Sequence, residues 1–346
     1  MLGGNKLKRI VQQYFPPSVE RKLKEAYNAV GKYQAYFIRR RICPPYPTYV
    51  QIEPTIRCNI ACVMCRRHQQ LGNMDKSPDM TLSQFKTILG QFPSTNYINL
   101  QGNGEPFLNE DIIEMISAAK QKGKYTLTST NGTLLSQEMA QEILRSGLDK
   151  LIISFIGAGK GVYEGIMRGS NFQKVTDNIT SFTKLKRKKS LRYPKIVLAT
   201  GFLKLNINDL IKLPDVAREL GIEEIEIGPF HSVDSYLPDL SEIKRVIYEI
   251  KKRASQKKII LNIQKDLFQR NYRAKQCIWP WQGVYITVKG DIKSCCSRAY
   301  FTKTSFGNIY EHNFNFVWHG TEYINFRKGL AGRGCLPVIC RGCPWD

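Results

Sequence analysis

Cys58-Asn-Ile-Ala-Cys62-Val-Met-Cys65 comes shortly after Tyr49-Val-Gln-Ile-Glu-Pro54, a predicted strand, so its three thiols sit on a loop leaving a strand end. Spacings of four and three residues let three thiolates converge on one inorganic centre. Three are too few to close a four-coordinate site. Two centres suit such a set. An iron–sulfur cubane held by three thiolates keeps one iron open to a further ligand. A zinc ion would instead recruit His68, three residues after Cys65, as its fourth ligand.

The pattern Cys-x3-Cys-x2-Cys after a strand resembles the signature of the radical S-adenosylmethionine (SAM) superfamily. That resemblance implies a [4Fe-4S] cluster on Cys58, Cys62 and Cys65 whose open iron binds the amino and carboxylate groups of SAM. It further implies reductive cleavage of SAM to a 5′-deoxyadenosyl radical, hydrogen abstraction from a substrate, and an external one-electron reductant of flavodoxin or ferredoxin type. The family usually places an aromatic residue before the third cysteine, near the adenine. Here that residue is Met64, whose thioether can also pack against an aromatic ring.

Outside this loop the chain alternates strand-like and helix-like runs. Predicted strands cover 49–54, 97–101, 124–128, 150–155, 195–200 and 223–228, with amphipathic stretches near 82–91, 111–122, 137–146, 172–187 and 208–220. Such alternation predicts an α/β fold with a parallel sheet, here a partial (β/α)6 TIM-type barrel whose chemistry lies at the carboxyl ends of the strands. Each further motif follows a predicted strand. Gly102-Asn-Gly-Glu-Pro106 reads by itself as an ordinary turn, with glycines that permit close backbone approach and a carboxylate at Glu105. It resembles the family's Gly-Gly-Glu-Pro motif for the amino group of SAM, with Asn103 in place of one glycine beside Gly104 and Pro106. Ser129 and Asn131, in Ser129-Thr-Asn-Gly-Thr133, match the polar residues that contact the ribose in the family. Ser154-Phe-Ile-Gly157 resembles Ser-Ile-Asp-Gly but lacks its acid, and Arg168 matches the arginine that reaches the carboxylate of SAM, a task suited to a bidentate guanidinium. A surface arginine is the plainer account of Arg168. His231 and Asp234, beyond the last predicted strand, form a candidate acid–base pair.

From Cys277 the character changes. Cys277 and Cys295 flank a predicted hairpin at Lys289-Gly-Asp291, and Cys340-x2-Cys343 closes the chain. Gly290-x4-Cys295 resembles the opening of the SPASM and twitch modules appended to radical SAM enzymes. The resemblance assigns Cys277, Cys295, Cys340 and Cys343 to an auxiliary [4Fe-4S] cluster in a small α+β domain, with Cys296 and Cys335 as spare thiols. A structural zinc ribbon would use the same two pairs. The expected organisation is a basic helical extension over 1–47, the barrel over 48–235, a helical linker and strand over 236–276, and the cluster domain over 277–346.

The 346 residues carry a formal charge of +23 and are 42% hydrophobic, which excludes global disorder and favours an anionic partner without specifying one. Ten cysteines with no apolar signal segment at the start favour metal ligands over disulfides and a cytoplasmic location. Residues 1–43 hold ten Lys/Arg against Glu20 and Glu25 on two amphipathic stretches. Those helices either pack on the barrel or make peripheral contact with an anionic membrane surface. The basic run Lys184 to Lys189, followed by Arg192 and Lys195, has no aromatic within the run and no recognised binding module beside it, so nucleic-acid binding is not expected. The substrate reading that follows is an anionic small molecule or glycan, with a peptide-modifying maturase as the alternative. A non-catalytic zinc adaptor is the reading from another class.

Overall fold

A computed structural model describes residues 44, 46–65, 67, 77–229, 236–264, 277–295, 305–332 and 335–340. The basic stretches of residues 1–43 and the candidates His68, His231, Asp234, Cys296 and Cys343 lie outside the described residues.

The described residues begin with β1 (Tyr49–Ile52) and the two-residue β2 (Ala61–Cys62) inside the cysteine loop, then α1 (Leu82–Gly90) and β3 (Tyr97–Leu100). It continues through α2 (Ile112–Gln121), β4 (Tyr125–Thr130), α3 (Gln137–Ser146), β5 (Lys150–Ser154), α4 (Lys160–Ile166) and the short β6 (Met167–Arg168). After α5 (Phe172–Lys188) come β7 (Lys195–Thr200), α6 (Leu213–Glu219), β8 (Glu224–Ile227), α7 (Leu240–Gln256) and β9 (Ile260–Ile263). The last part holds α8 (Trp279–Gln282), β10 (Gly283–Ile286), β11 (Ile292–Lys293), α9 (Phe314–Trp318) and α10 (Thr321–Leu330).

Local chemistry sets the helix limits. Thr81 and Gln84 form a reciprocal capping box at the start of α1, Ser136 and Asn171 cap α3 and α5, and Gly147 ends α3 at φ 78°. In β1, β3, β4 and β5 the residues Val50, Ile52, Ile98, Leu100, Thr126, Thr128, Leu151 and Ile153 are fully buried on one face under the helices. The opposite face carries Gln51, Asn99, Ser129 and Lys150, as the two-residue period of a strand requires.

All six predicted strands form and pair in parallel, in the order β1-β3-β4-β5-β7-β8. The sheet remains open and is wider than six strands. β9 adds in parallel to β8 at one edge. At the other, β10 lies parallel to β1, with Tyr49 opposite Gly283, and β11 returns antiparallel to β10. The hairpin expected around Gly290 is therefore continuous with the barrel sheet. Tail residues Phe314, Val317, Trp318 and Tyr323 join the same apolar core as β1 and β3.

Candidate functional site

The cysteine loop sits over the carboxyl end of β1, and distant segments hold it there. Thr55 and Arg57, just before the first cysteine, both bond Asp79, and Arg57 also donates to the Leu108 carbonyl. Cys62 pairs with Met167, and Ala61 with Arg168, in the two-stranded β2–β6 ladder; Val63 N donates to the Ile166 carbonyl at 2.9 Å. A tight turn returns Cys65 N to the Cys62 carbonyl at 3.0 Å, with Met64 at its corner packed on the apolar core.

Cys58, Cys62 and Cys65 are half-buried free thiols. Burial, and then the neighbouring Cys65 and Cys58, push the Cys62 thiol up to about 12; burial also raises Cys58, with Cys65 adding to it. Three thiols that feel one another's charge in a partly dry loop need a cationic centre to ionise together. That suits a cluster. One zinc ion would draw its thiolates to within about 3.8 Å of each other, given Zn–S bonds of roughly 2.3 Å. Among the described residues no group of three His, Cys, Asp or Glu stands at single-ion spacing, and His68, the fourth ligand of the zinc reading, lies outside them.

The loop after β3 is fitted against this segment. A Cβ on Gly104 would lie 2.5 Å from the carbonyl oxygens of both Thr55 and Arg57, and one on Gly102 would lie 2.2 Å from Glu53 Cγ. The glycines thus serve close contact between two loops. Glu105 is 2% exposed and turned inward: its carboxylate accepts from Thr130 Oγ1 at 2.8 Å, Asn131 N at 2.7 Å and Phe107 N at 3.3 Å. In this structure it ties the β3 loop to the end of β4, while Pro106 opens a buried 3-10 turn, Pro106–Leu108. Asn131 is equally committed, its Nδ2 donating to Asn59 Oδ1 and its Oδ1 accepting from Thr133.

Ser129 and Ser154 are half-buried on the inner face, and Arg168 is exposed beside the cysteine loop. Where the acid of Ser-Ile-Asp-Gly is missing, Ile156 is buried; Asp209, from a 3-10 turn after β7, accepts from Ala158 N and Gly159 N instead. The inner face below is polar, with a Lys150–Glu226 ion pair, an Asn262–Glu224 hydrogen bond and Asn99 bonded to the Tyr49 hydroxyl.

Two groups escape the motif reading. Glu53, fully buried at the end of β1, accepts from Asn103 N at 2.8 Å, Asn103 Nδ2 at 3.1 Å and Val288 N at 3.3 Å, so it joins the β3 loop to the tail. Asn59 latches the cysteine loop to β4. A buried acid in a predicted strand was the only sequence signal for Glu53. Asn59 gave none, because its partners lie 72 and 74 residues away.

In the tail, Cys277, Cys295 and Cys340 are half-buried and Cys335 is exposed. Cys277 precedes β10 and Cys295 follows the antiparallel β11, so both chain ends return to the amino end of the sheet edge. The first thiol trio lies beyond the carboxyl end of β1. Cys340 packs against Trp281, Phe326, Leu330 and Ile339. Tyr323 is fully buried there, and its phenol is pushed up by burial and by the nearby Cys295 and Cys277.

Residues 52–217 match the radical SAM superfamily, and residues 277–344 match SPASM, an iron–sulfur cluster-binding domain. A PqqA peptide cyclase of Bradyrhizobium diazoefficiens is 23% identical over 317 residues, covering 86% of this chain and 78% of that protein. The PqqA peptide cyclase of Gluconobacter oxydans is 22% identical, covering 87% and 83%. In fold the chain resembles Streptococcus suis SuiB bound to precursor peptide SuiA, with a TM-score of 0.69 at 16% identity over 94% of this chain and 75% of that one.

Proposed function

The chain belongs to the radical SAM superfamily and ends in a SPASM cluster-binding domain, and from that premise we propose that it modifies a peptide. Its cofactors are [4Fe-4S] clusters and SAM, and no helix among the described residues is long and apolar enough to cross a membrane. The carrying observation is that similarity to two PqqA peptide cyclases covers 86% and 87% of this chain. A preference for an anionic small molecule or glycan rested on charge, which attracts anions of every kind and discriminates among none. The peptide reading therefore displaces it.

In this reading Cys58, Cys62 and Cys65 hold the SAM cluster, and Cys277, Cys295, Cys340 and Cys343 hold the auxiliary one. A cluster held by Cys58, Cys62 and Cys65 would supply, with electrons from an external flavodoxin- or ferredoxin-type donor, the one-electron chemistry that cleaves SAM and begins hydrogen abstraction from the peptide. Arg168 holds the carboxylate of SAM by charge-assisted hydrogen bonds. Gly102 and Gly104 let the β3 loop close on the cysteine segment, presenting backbone to the amino group of SAM. Glu105 and Asn131 fix that loop and the end of β4. Ser129 and Ser154 face the nucleoside from the inner wall, and Met64 packs by the adenine.

The test is anaerobic turnover. The reconstituted, reduced protein with SAM and short peptides encoded beside its gene is expected to form 5′-deoxyadenosine together with a peptide that has lost hydrogen or gained a cross-link, read by mass spectrometry. Nucleoside release that depends on a small anionic metabolite and leaves every such peptide unchanged would overturn the peptide reading.

A further inference from the structure

Tyr323 occupies an unusual place in the tail. It is fully buried on α10, and its ring stacks on Phe306 at 4.2 Å, meets Trp318 at 4.9 Å and lies under the Arg327 guanidinium at 4.2 Å. The neighbouring chain leads to both early tail cysteines. Phe306 N donates to the Ile292 carbonyl of β11, the strand that runs into Cys295. Arg327 Nε donates to the Pro280 carbonyl, three residues beyond Cys277. Apolar rings fix the Tyr323 side chain on several sides, yet its buried hydroxyl has no hydrogen-bond partner among the described residues. A stranded hydroxyl is a penalty that folded proteins rarely keep, so this position calls for an acceptor that the described residues do not supply.

We propose that the Tyr323 hydroxyl donates a hydrogen bond to a sulfur on the Cys277–Cys295 side of the auxiliary cluster and thereby helps set the reduction potential of that cluster. The inference rests on the assignment of Cys277, Cys295, Cys340 and Cys343 to one cluster. Sulfur gains negative charge on reduction, so a donor aimed at it stabilises the reduced state and raises the potential, as hydrogen bonds to cluster sulfurs do. Tyr323 acts here as a positioning and tuning residue, touching the cluster and not the peptide.

The test uses the full chain with Cys58, Cys62 and Cys65 changed to alanine, so that the reconstituted protein carries only the auxiliary cluster. In a potentiometric titration followed by electron paramagnetic resonance, Tyr323→Phe is expected to move the midpoint to a more negative potential. In deuterium oxide, the exchangeable proton coupled to the reduced cluster is expected to vanish in the variant. An unchanged midpoint with unchanged coupling would overturn the proposal. The apoprotein supplies a second reading. Tyr323→Phe should leave its thermal midpoint the same or higher, because no protein partner is lost; a clear drop would show that the hydroxyl serves the polypeptide and would overturn the idea. If the phenylalanine variant fails to load, the tyrosine protein decides alone, since absence of any exchangeable coupling to its reduced cluster refutes the donor. Full auxiliary iron in Cys295→Ala would overturn the ligand assignment instead.

Discussion

Asn131 Nδ2 donates to Asn59 Oδ1 at 2.9 Å, across 72 residues of chain. Asn59 directly follows the first cysteine, and its own Nδ2 donates to Thr133 Oγ1 at 2.8 Å. The cysteine loop is thereby latched to the end of β4. Asn131→Ala removes one of the two latch bonds, and because Asn59 is exposed to water the cost is that of an ordinary hydrogen bond, about 0.5–1.5 kcal/mol. Iron and sulfide per chain after anaerobic reconstitution should fall, and thermal unfolding should begin earlier. Full iron content at unchanged stability would refute the latch.

Gly104→Ala meets backbone. Its Cβ would stand 2.5 Å from the carbonyl oxygens of Thr55 and Arg57, neither of which can rotate away. The β3 loop must shift, for a loss of about 1–3 kcal/mol and poorer SAM binding. Gly165→Ala is the matched control. It lies in α4 with nothing within 4 Å of a new Cβ, so it should stabilise by about 0.5–1 kcal/mol. Denaturant unfolding of the two variants checks both signs.

Arg168→Ala should weaken SAM binding by roughly tenfold or more, the scale of a lost charged hydrogen bond. Arg168→Lys should recover only part of it, because an ammonium cannot grip a carboxylate with two parallel bonds. Arg168 is exposed, so stability should hardly change. Titration of the loaded protein with SAM, followed through the cluster signal, measures both effects.

Glu105 predicts a pH dependence. Burial pushes its carboxyl from 4.5 up to about 7, against the downward pull of Asn131 N–H, the Thr130 hydroxyl and Phe107 N–H. Between those two pH values the folded chain retains a proton that the unfolded chain has released. Stability from this group is therefore highest at low pH, falls as pH rises through the window, and levels off above it; 1.36 kcal/mol per unit makes the change about 3 kcal/mol. Glu105→Gln cannot titrate. Urea unfolding across the window should show a steeper decline for the wild type than for the variant, and equal slopes would refute the assignment.

Much of this was legible because it is local. The Cys58–Cys65 spacing specifies a thiolate trio and the alternating runs specify parallel strands without help from the rest of the chain. Glu105 reads differently once folded. A carboxylate after a strand suggests a hand for an ammonium group, but the register of β3 against β4 turns it onto Thr130 and Asn131. The acid missing after β5 is met by Asp209, which no spacing rule connects to Ala158. The tail hairpin was visible around Gly290, yet its place beside β1 was not, because a strand pattern carries no information about its neighbour.

By itself the sequence determined the family, the cofactor chemistry and the six-strand parallel core, since thiol spacing and apolar period act within a few residues and survive in one dimension. Only the tertiary structure decided which polar groups meet. Glu53 holds Val288 across 235 residues, Asn59 meets Asn131, and an isolated phenol comes to rest near the tail cysteines. Those pairings follow from sheet register and from burial, which forces each enclosed donor and acceptor toward whatever partner the packing brings near.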